Sequence, residues 1–292
     1  MQEWFIDTFY TALTALGGAA EMLAAPAVFF ILLALGFKGS KVFTEAAKIL
    51  PETRTTLGIV AFNVLFILPL LAMLSVVMKD LFEAGGLMLI DESMWASMPF
   101  FAALLVAVLI MDFGTYWRHR MMHSPLFWPS HAVHHSDTAV TWLTLIRAHP
   151  VDHLTTNIMD NVLLLLLGFP VEVVIASVMI RHYYGYFVHA DLPWTYGKIL
   201  GKILISPAMH RWHHADEPRA YNTNYAAVFA FYDYIFGTYY VPGPCNVPLG
   251  VKDDMGKGVF HQLTYAFKPR AYKALFTKRK KKTPEFHEEA AE

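Results

Sequence analysis

The chain has 292 residues, 55% of them hydrophobic and 16% charged, with a formal net charge of −1 at neutral pH. A soluble domain carries roughly 45–50% apolar and about 25% charged residues, so this composition, with a mean hydropathy of +0.38, belongs in a membrane. The near-zero charge excludes a global field for nucleic acid, and the single cysteine, Cys245, excludes an internal disulfide, a cysteine zinc ribbon and an iron–sulfur cluster.

No lysine or arginine precedes Lys38, while Glu3, Asp7 and Glu21 are acidic, so a cleaved secretory leader with a basic start is not expected. Met22 to Phe37, extended by residues 17–20, reaches the ~20 residues a bilayer crossing requires and is the expected first span. Trp4 to Leu16, with Phe5, Phe9, Leu13 and Leu16 at helical spacing, fits an interfacial helix or an extension of that span. Lys38, Lys41, Lys48 and Arg54 read as a basic loop, whereas residues 79–97 carry one lysine against Asp80, Glu83, Asp91 and Glu92. The positive-inside rule places the first loop in the cytoplasm. Leu57 to Met78, kinked at Pro69, is the expected second span, and Pro99 to Trp117 the third.

Residues 155–180 are again apolar, but Gly168-Phe169-Pro170 is a turn signal and Pro170 suits the first position of a helix. Two helices, 151–167 and 171–189, are therefore expected to form a hairpin. Beyond Pro193 the chain turns polar and reads as a cap on the membrane, 241–248 is loop, and Lys278 to Lys282 is a basic run that fits a solvated tail or a contact with anionic lipid. This divides the chain into an N-terminal transmembrane region (1–98), a catalytic region (99–240) containing the hairpin 151–189, and a C-terminal cytoplasmic segment (241–292). The fold class expected is all-α, an integral membrane helical bundle with a cytoplasmic histidine-rich cap.

Histidine is the outlier, since 12 of the 14 lie between His119 and His214. His119 and His123 stand four apart; His131, His134 and His135 stand at i, i+3 and i+4; His210, His213 and His214 repeat those offsets. On helices each set shares one face, which is ligand spacing. A set this large can hold two metals, and imidazole suits iron, zinc, copper and nickel. A structural zinc needs only four ligands. Carboxylate-bridged di-iron sites use Glu-x-x-His and zinc proteases His-Glu-x-x-His, neither of which occurs in this sequence. Bis-histidine haem does not explain the adjacent pairs His134-His135 and His213-His214. A histidine-rich metal transporter or binding protein is the alternative from another class; it would string ligands along a membrane pathway, whereas these cluster at helix ends.

The order His-x3-His, His-x2-His-His, hydrophobic hairpin, His-x2-His-His, then Asn224-Tyr225 and Asp233-x-x-Phe-Gly-Thr238, resembles the fatty acid hydroxylase / sterol desaturase superfamily of membrane di-iron enzymes over about half the chain. That resemblance implies that His119, His123, His131, His134, His135, His210, His213 and His214 bind two iron ions, which overexpression could replace with zinc. It implies O2-dependent hydroxylation of a lipid, with desaturation or ether-lipid cleavage as alternatives on the same site. Phe187 to Pro193 resembles the segment that supplies a further ligand, here His189, and Arg147 to Asp152 resembles a His-Pro-x-Glu element with Asp152 in place of Glu. His182, seven residues before His189, reads as a tenth ligand or its support. His149 reads as a helix cap rather than a ligand, and Asp112 and Asp233 as carboxylates that orient imidazoles. No flavin, nicotinamide or cysteine motif is present, so electrons are expected from a separate donor such as a ferredoxin, rubredoxin or cytochrome b5. The expected location is a multi-pass membrane protein with its site on the cytoplasmic side.

Overall fold

The computed structural model describes residues 2–276; the basic run Lys278 to Lys282 lies outside the described residues. α1 (Gln2–Lys38) is one helix of 37 residues, so Trp4 to Leu16 continues the first apolar segment. A short turn at Gly39 and Ser40 leads into α2 (Lys41–Phe62), where the sequence reading expects a basic loop. The correction has a simple cause. Val42, Glu45, Ile49, Glu52, Thr56 and Ile59, spaced three and four apart, turn toward the protein while Lys41, Lys48 and Arg54 face outward, and such a stripe makes a helix of a charged stretch.

α2 passes through a π turn, Asn63–Ile67, into α3 (Leu68–Ala84). Pro69 has no N–H to give the turn before it, so the ladder widens by one residue instead of breaking. Phe66, Leu70, Met73, Val76 and Leu81 stay exposed. Phe9–Lys38, Lys41–Ala84 and Phe100–Met122 are each long and apolar enough to cross a membrane. With no named strand among the described residues and one isolated bridge, Ala215 to Leu249, the chain is an all-α integral membrane protein.

α4 (Glu92–Ala96), capped by Asp91, precedes α5 (Phe100–Met122). Next come α6 (Trp128–His135), a 3-10 turn (Trp142–Ile146), and α7 (Pro150–Thr156), which continues through a π turn (Asn157–Val162) into α8 (Leu163–Leu166). α5 packs against this run at Gly114, where a Cβ would lie 3.1 Å from the Met159 carbonyl. The chain reverses at residues 167–170 and returns as α9 (Val171–His189). Gly168 has φ +74° and a Cβ there would meet the Ile90 carbonyl at 2.0 Å, so the turn needs glycine. Trp95 donates to the Leu167 carbonyl at 2.8 Å and stacks on Phe169 at 3.8 Å. Phe169 is 2% exposed, covered by Trp95 of α4.

α10 (Gly197–Ile203), α11 (Pro207–His213) and α12 (Phe231–Ile235) form the polar layer, followed by α13 (Val259–Tyr265) and α14 (Lys273–Phe276). One core joins α4, α5, α8 and α9 around Met111, Leu164 and Phe169. A second, of Tyr116, Val188, Ile205, Met209 and Tyr225, fastens the polar layer to the membrane helices and supports the histidines.

Candidate metal centre

Four helix ends carry the histidines. His119 and His123 close α5; His131, His134 and His135 lie on α6; His189 ends α9; His210 and His213 lie on α11, with His214 its C-cap. Two groups result. His119, His123, His131, His135 and His213 offer ring nitrogens within 4.8 Å of one another, and so do His134, His189, His210 and His214. All are buried except the half-buried His123. The groups abut, with the His135 and His214 rings stacked at 4.4 Å.

The far ring nitrogens show how the imidazoles are aimed. His119 Nδ1 donates to the Tyr225 carbonyl at 2.7 Å, His213 Nδ1 to the Thr223 carbonyl at 2.7 Å, and His189 Nδ1 to the Gly185 carbonyl at 2.7 Å. His134 Nδ1 reaches the Arg147 carbonyl at 3.3 Å, and His131 Nδ1 the Asp152 carboxylate at 2.6 Å. With the proton on Nδ1, a neutral ring presents only a lone pair at Nε2. In the group of five, every Nε2 is buried without a partner. In the group of four, Nε2 of His134 stands 3.3 Å from that of His189, which is 2.8 Å from that of His210, itself 3.2 Å from that of His214. His134 and His189, both with Nδ1 on a carbonyl, turn lone pairs toward each other at 3.3 Å, which repel unless a cation sits between them, and nitrogens at ~2.1 Å from one metal stand roughly 3.0–3.4 Å apart. The donor set, all imidazole, fits a borderline transition metal such as iron or zinc.

Electrostatics agree. Burial, then the neighbouring imidazoles, holds His134, His135, His210 and His214 well below the usual histidine range, and burial brings His213 down to about 3. These rings are neutral at physiological pH, the form that binds metal. A cavity of about 320 Å³ reaches His123, His135, His213 and His214 past Trp128 and opens at Lys252 and Asp253.

The other residues singled out by sequence divide. Asp152 joins the site through His131, its second oxygen buried without a partner. Asp233 accepts from the Tyr225 and Ala226 N–H groups and from Thr238 Oγ1, so it fixes the loop whose carbonyl holds His119; burial raises it to about 6. Asp112 touches no imidazole. It accepts from the backbone N–H groups of Ala227, Val228 and Phe229, because a carboxylate two turns below His119 meets the returning loop first. His149 accepts from Val151 N–H and reaches the Leu263 carbonyl, and His182 pairs with Tyr186; neither belongs to a group. Sequence reasoning gave no role to Tyr225, whose ring lies against His119, His123 and His213, or to the buried Arg147, which bonds Glu52, Ser136 and the Val133 carbonyl. Arg147 was visible beside His149, but its partner 95 residues away leaves no local pattern.

Residues 104–238 match the fatty acid hydroxylase family model. These residues carry the fatty acid hydroxylase domain. The match runs from α5 to just past α12 and encloses all nine grouped histidines. The hydroxylase domain and its flanks are 29% identical over 195 residues to ornithine lipid hydroxylase OlsE of Rhizobium tropici, covering 66% of this chain and 59% of that protein. They are 33% identical over 134 residues to alkylglycerol monooxygenase of Homo sapiens, covering 46% and 29%. Methylsterol monooxygenase 1-3 of Arabidopsis thaliana is 28% identical over 155 residues, covering 48% and 49%. The chain thus spans less than two thirds of these curated relatives. No solved structure matches it.

Proposed function

We propose that this protein is a membrane-bound non-haem di-iron oxygenase that hydroxylates a lipid C–H bond with O2 and electrons from a separate carrier. The observation that carries the reading is the set of four Nε2 atoms at 2.8–3.3 Å beside five further unpartnered Nε2 atoms. His119, His123, His131, His135 and His213 would hold one iron, and His134, His189, His210 and His214 the other. Bound there, the irons would supply the oxidant that an unactivated C–H bond demands. The chain's own part is to aim the rings through the Tyr225, Thr223, Gly185 and Arg147 carbonyls and Asp152, and to keep bulk water out with buried walls. The reacting carbon would sit in the cavity against His123, His135 and His213.

The lipid class is supported by the names of the relatives, which concern ornithine lipids, alkylglycerols and methylsterols. Residues 99–240 form the catalytic unit. The basic residues flanking the first turn favour a cytoplasmic site, and a multi-pass arrangement follows from the apolar segments. Because both histidine triplets share one site, an even number of crossings must separate Ser136 from His210. The turn at 167–170 supplies it: α9, at ~1.5 Å per residue over its 19 residues, extends about 28 Å, close to a ~30 Å hydrocarbon core.

The test is product analysis in cells supplied with labelled O2. Lipid extracts from cells making the native protein should contain one species carrying a single labelled oxygen, missing with His135→Ala. A product short of two hydrogens, or an aldehyde from a split ether, would instead identify a desaturase or an ether-cleaving monooxygenase. Identical extracts would defeat the reading. Topology has its own check in Cys245→Ala protein: an impermeant thiol reagent should label Glu172→Cys from outside intact cells and spare Arg219→Cys.

A further inference from the structure

Beneath the histidines, α5 and the hairpin enclose a set of charges that metal binding does not use. Asp160, at 0% exposure, lies in the π turn Asn157–Val162 and accepts from Thr115 Oγ1 at 2.9 Å and from Arg118 Nε at 3.1 Å. Arg181 of α9 brings Nη1 to 3.8 Å from the same carboxylate, too long for a hydrogen bond. Its Nε is buried with no partner. Arg118 commits only Nε, and among the described residues the terminal NH2 groups of both arginines make no hydrogen bond. The next carboxylate, Asp112, is already occupied by three backbone N–H groups.

Two permanent cations therefore share one buried carboxylate, and burial makes an unpaired charge unfavourable. If the cluster only tied helices together, one arginine would balance one aspartate. Instead, guanidinium forks shaped for a bidentate oxyanion are left open. A π turn at the same place is a frequent companion of a ligand site.

We infer that Arg118 and Arg181 form a site for the anionic group, phosphate or carboxylate, of a membrane lipid, with Asp160 holding the two guanidinium groups apart. Depth and access agree with that ligand. Arg118 precedes the end of α5 at Met122 by one turn, about 6 Å, within reach of a headgroup drawn in at the membrane face. Arg181 keeps 16% of its side chain exposed, so the site can be reached from outside the bundle. The site goes beyond the oxygenase reading and stands on geometry of its own.

Native protein, Arg181→Gln and Asp160→Asn, each with its metal content measured, would be compared by native mass spectrometry for retained lipid. Thermal unfolding would then be followed in detergent with added phosphatidylglycerol, diacylglycerol or inorganic phosphate. Native protein should retain a lipid bearing an anionic group, and phosphatidylglycerol should raise its Tm, whereas diacylglycerol and inorganic phosphate should not. Arg181→Gln should weaken the phosphatidylglycerol response by about tenfold or more in concentration, the loss of one charged fork. Asp160→Asn should strengthen it, because the carboxylate competes with the ligand. A purely structural ion cluster predicts the reverse, an Asp160→Asn protein that is less stable with an unchanged lipid response. That outcome, an unchanged response in Arg181→Gln, or an equal effect of diacylglycerol would overturn the site; an equal effect of inorganic phosphate would overturn its assignment to lipid. Should Arg181→Gln fail to fold, Arg181→Lys replaces it, with a smaller loss in the same direction. Loss of lipid with metal retained separates this site from the oxygenase centre.

Discussion

In the group of five histidines the Nε2 atoms have no hydrogen-bond partner, whereas in the group of four they face each other at 2.8–3.3 Å. The difference lies in how the rings are held. Three of the five, His119, His213 and His131, are tied outward by Tyr225, Thr223 and Asp152. Of the four, His189 is held by its own helix through Gly185, and His210 and His214 have Nδ1 buried without a partner. The first group is preset by the scaffold. The second crowds its Nε2 atoms to the spacing of ligands around one cation, so the same side chain at the same offsets is held by the scaffold in one group and by its neighbouring rings in the other.

The largest expected effect comes from breaking either group. His135→Ala and His214→Ala should each abolish turnover and lower the metal content from about two per chain toward one, as measured by elemental analysis of purified protein. Because helices satisfy their own backbone hydrogen bonds in lipid, both variants should still insert. His149→Gln and His182→Gln are the internal controls, with full metal content; either one losing a metal would redraw the groups.

Asp152→Asn sharpens the contrast. It removes the charge behind His131 alone, so metal affinity should fall by roughly 10–100-fold at the five-histidine centre and stay unchanged at the other. Competition with a chelator should then resolve one weakened site and one native site. Two equally weakened sites would mean that Asp152 acts on the whole fold.

The smallest effect is on stability against pH. His134, His135, His210, His213 and His214 have folded values below the ordinary 6.5, His213 at about 3. Above pH ~6.5 these rings are neutral both folded and unfolded, and the difference vanishes. As pH falls below that, the unfolded chain takes up protons that the buried rings refuse, and the folded state loses stability. Asp233, raised to about 6, pulls the other way between about pH 4 and 6, but five imidazoles outweigh one carboxyl. Metal-free protein should therefore show a Tm that is flat from pH 8 to about 6.5 and falls below it; a Tm that rises on acidification would contradict the buried neutral state.

The sequence by itself determined the all-α membrane class, the turn at Gly168 to Pro170 and the nine histidines that the structure gathers. Each is written locally, as apolar run length, as a glycine and proline between helices, or as i, i+3 and i+4 offsets that put rings on one helical face. Only the tertiary structure divided those histidines, separating His134 from its neighbour His135 because adjacent residues on a helix point about 100° apart. It also turned the basic stretch 41–54 into α2, directed Asp112 to the 227–229 backbone instead of an imidazole, and set Arg147 against Glu52 and Arg181 toward Asp160. Such pairings join residues far apart in the chain. They depend on which faces meet once the helices pack, and no local pattern encodes that.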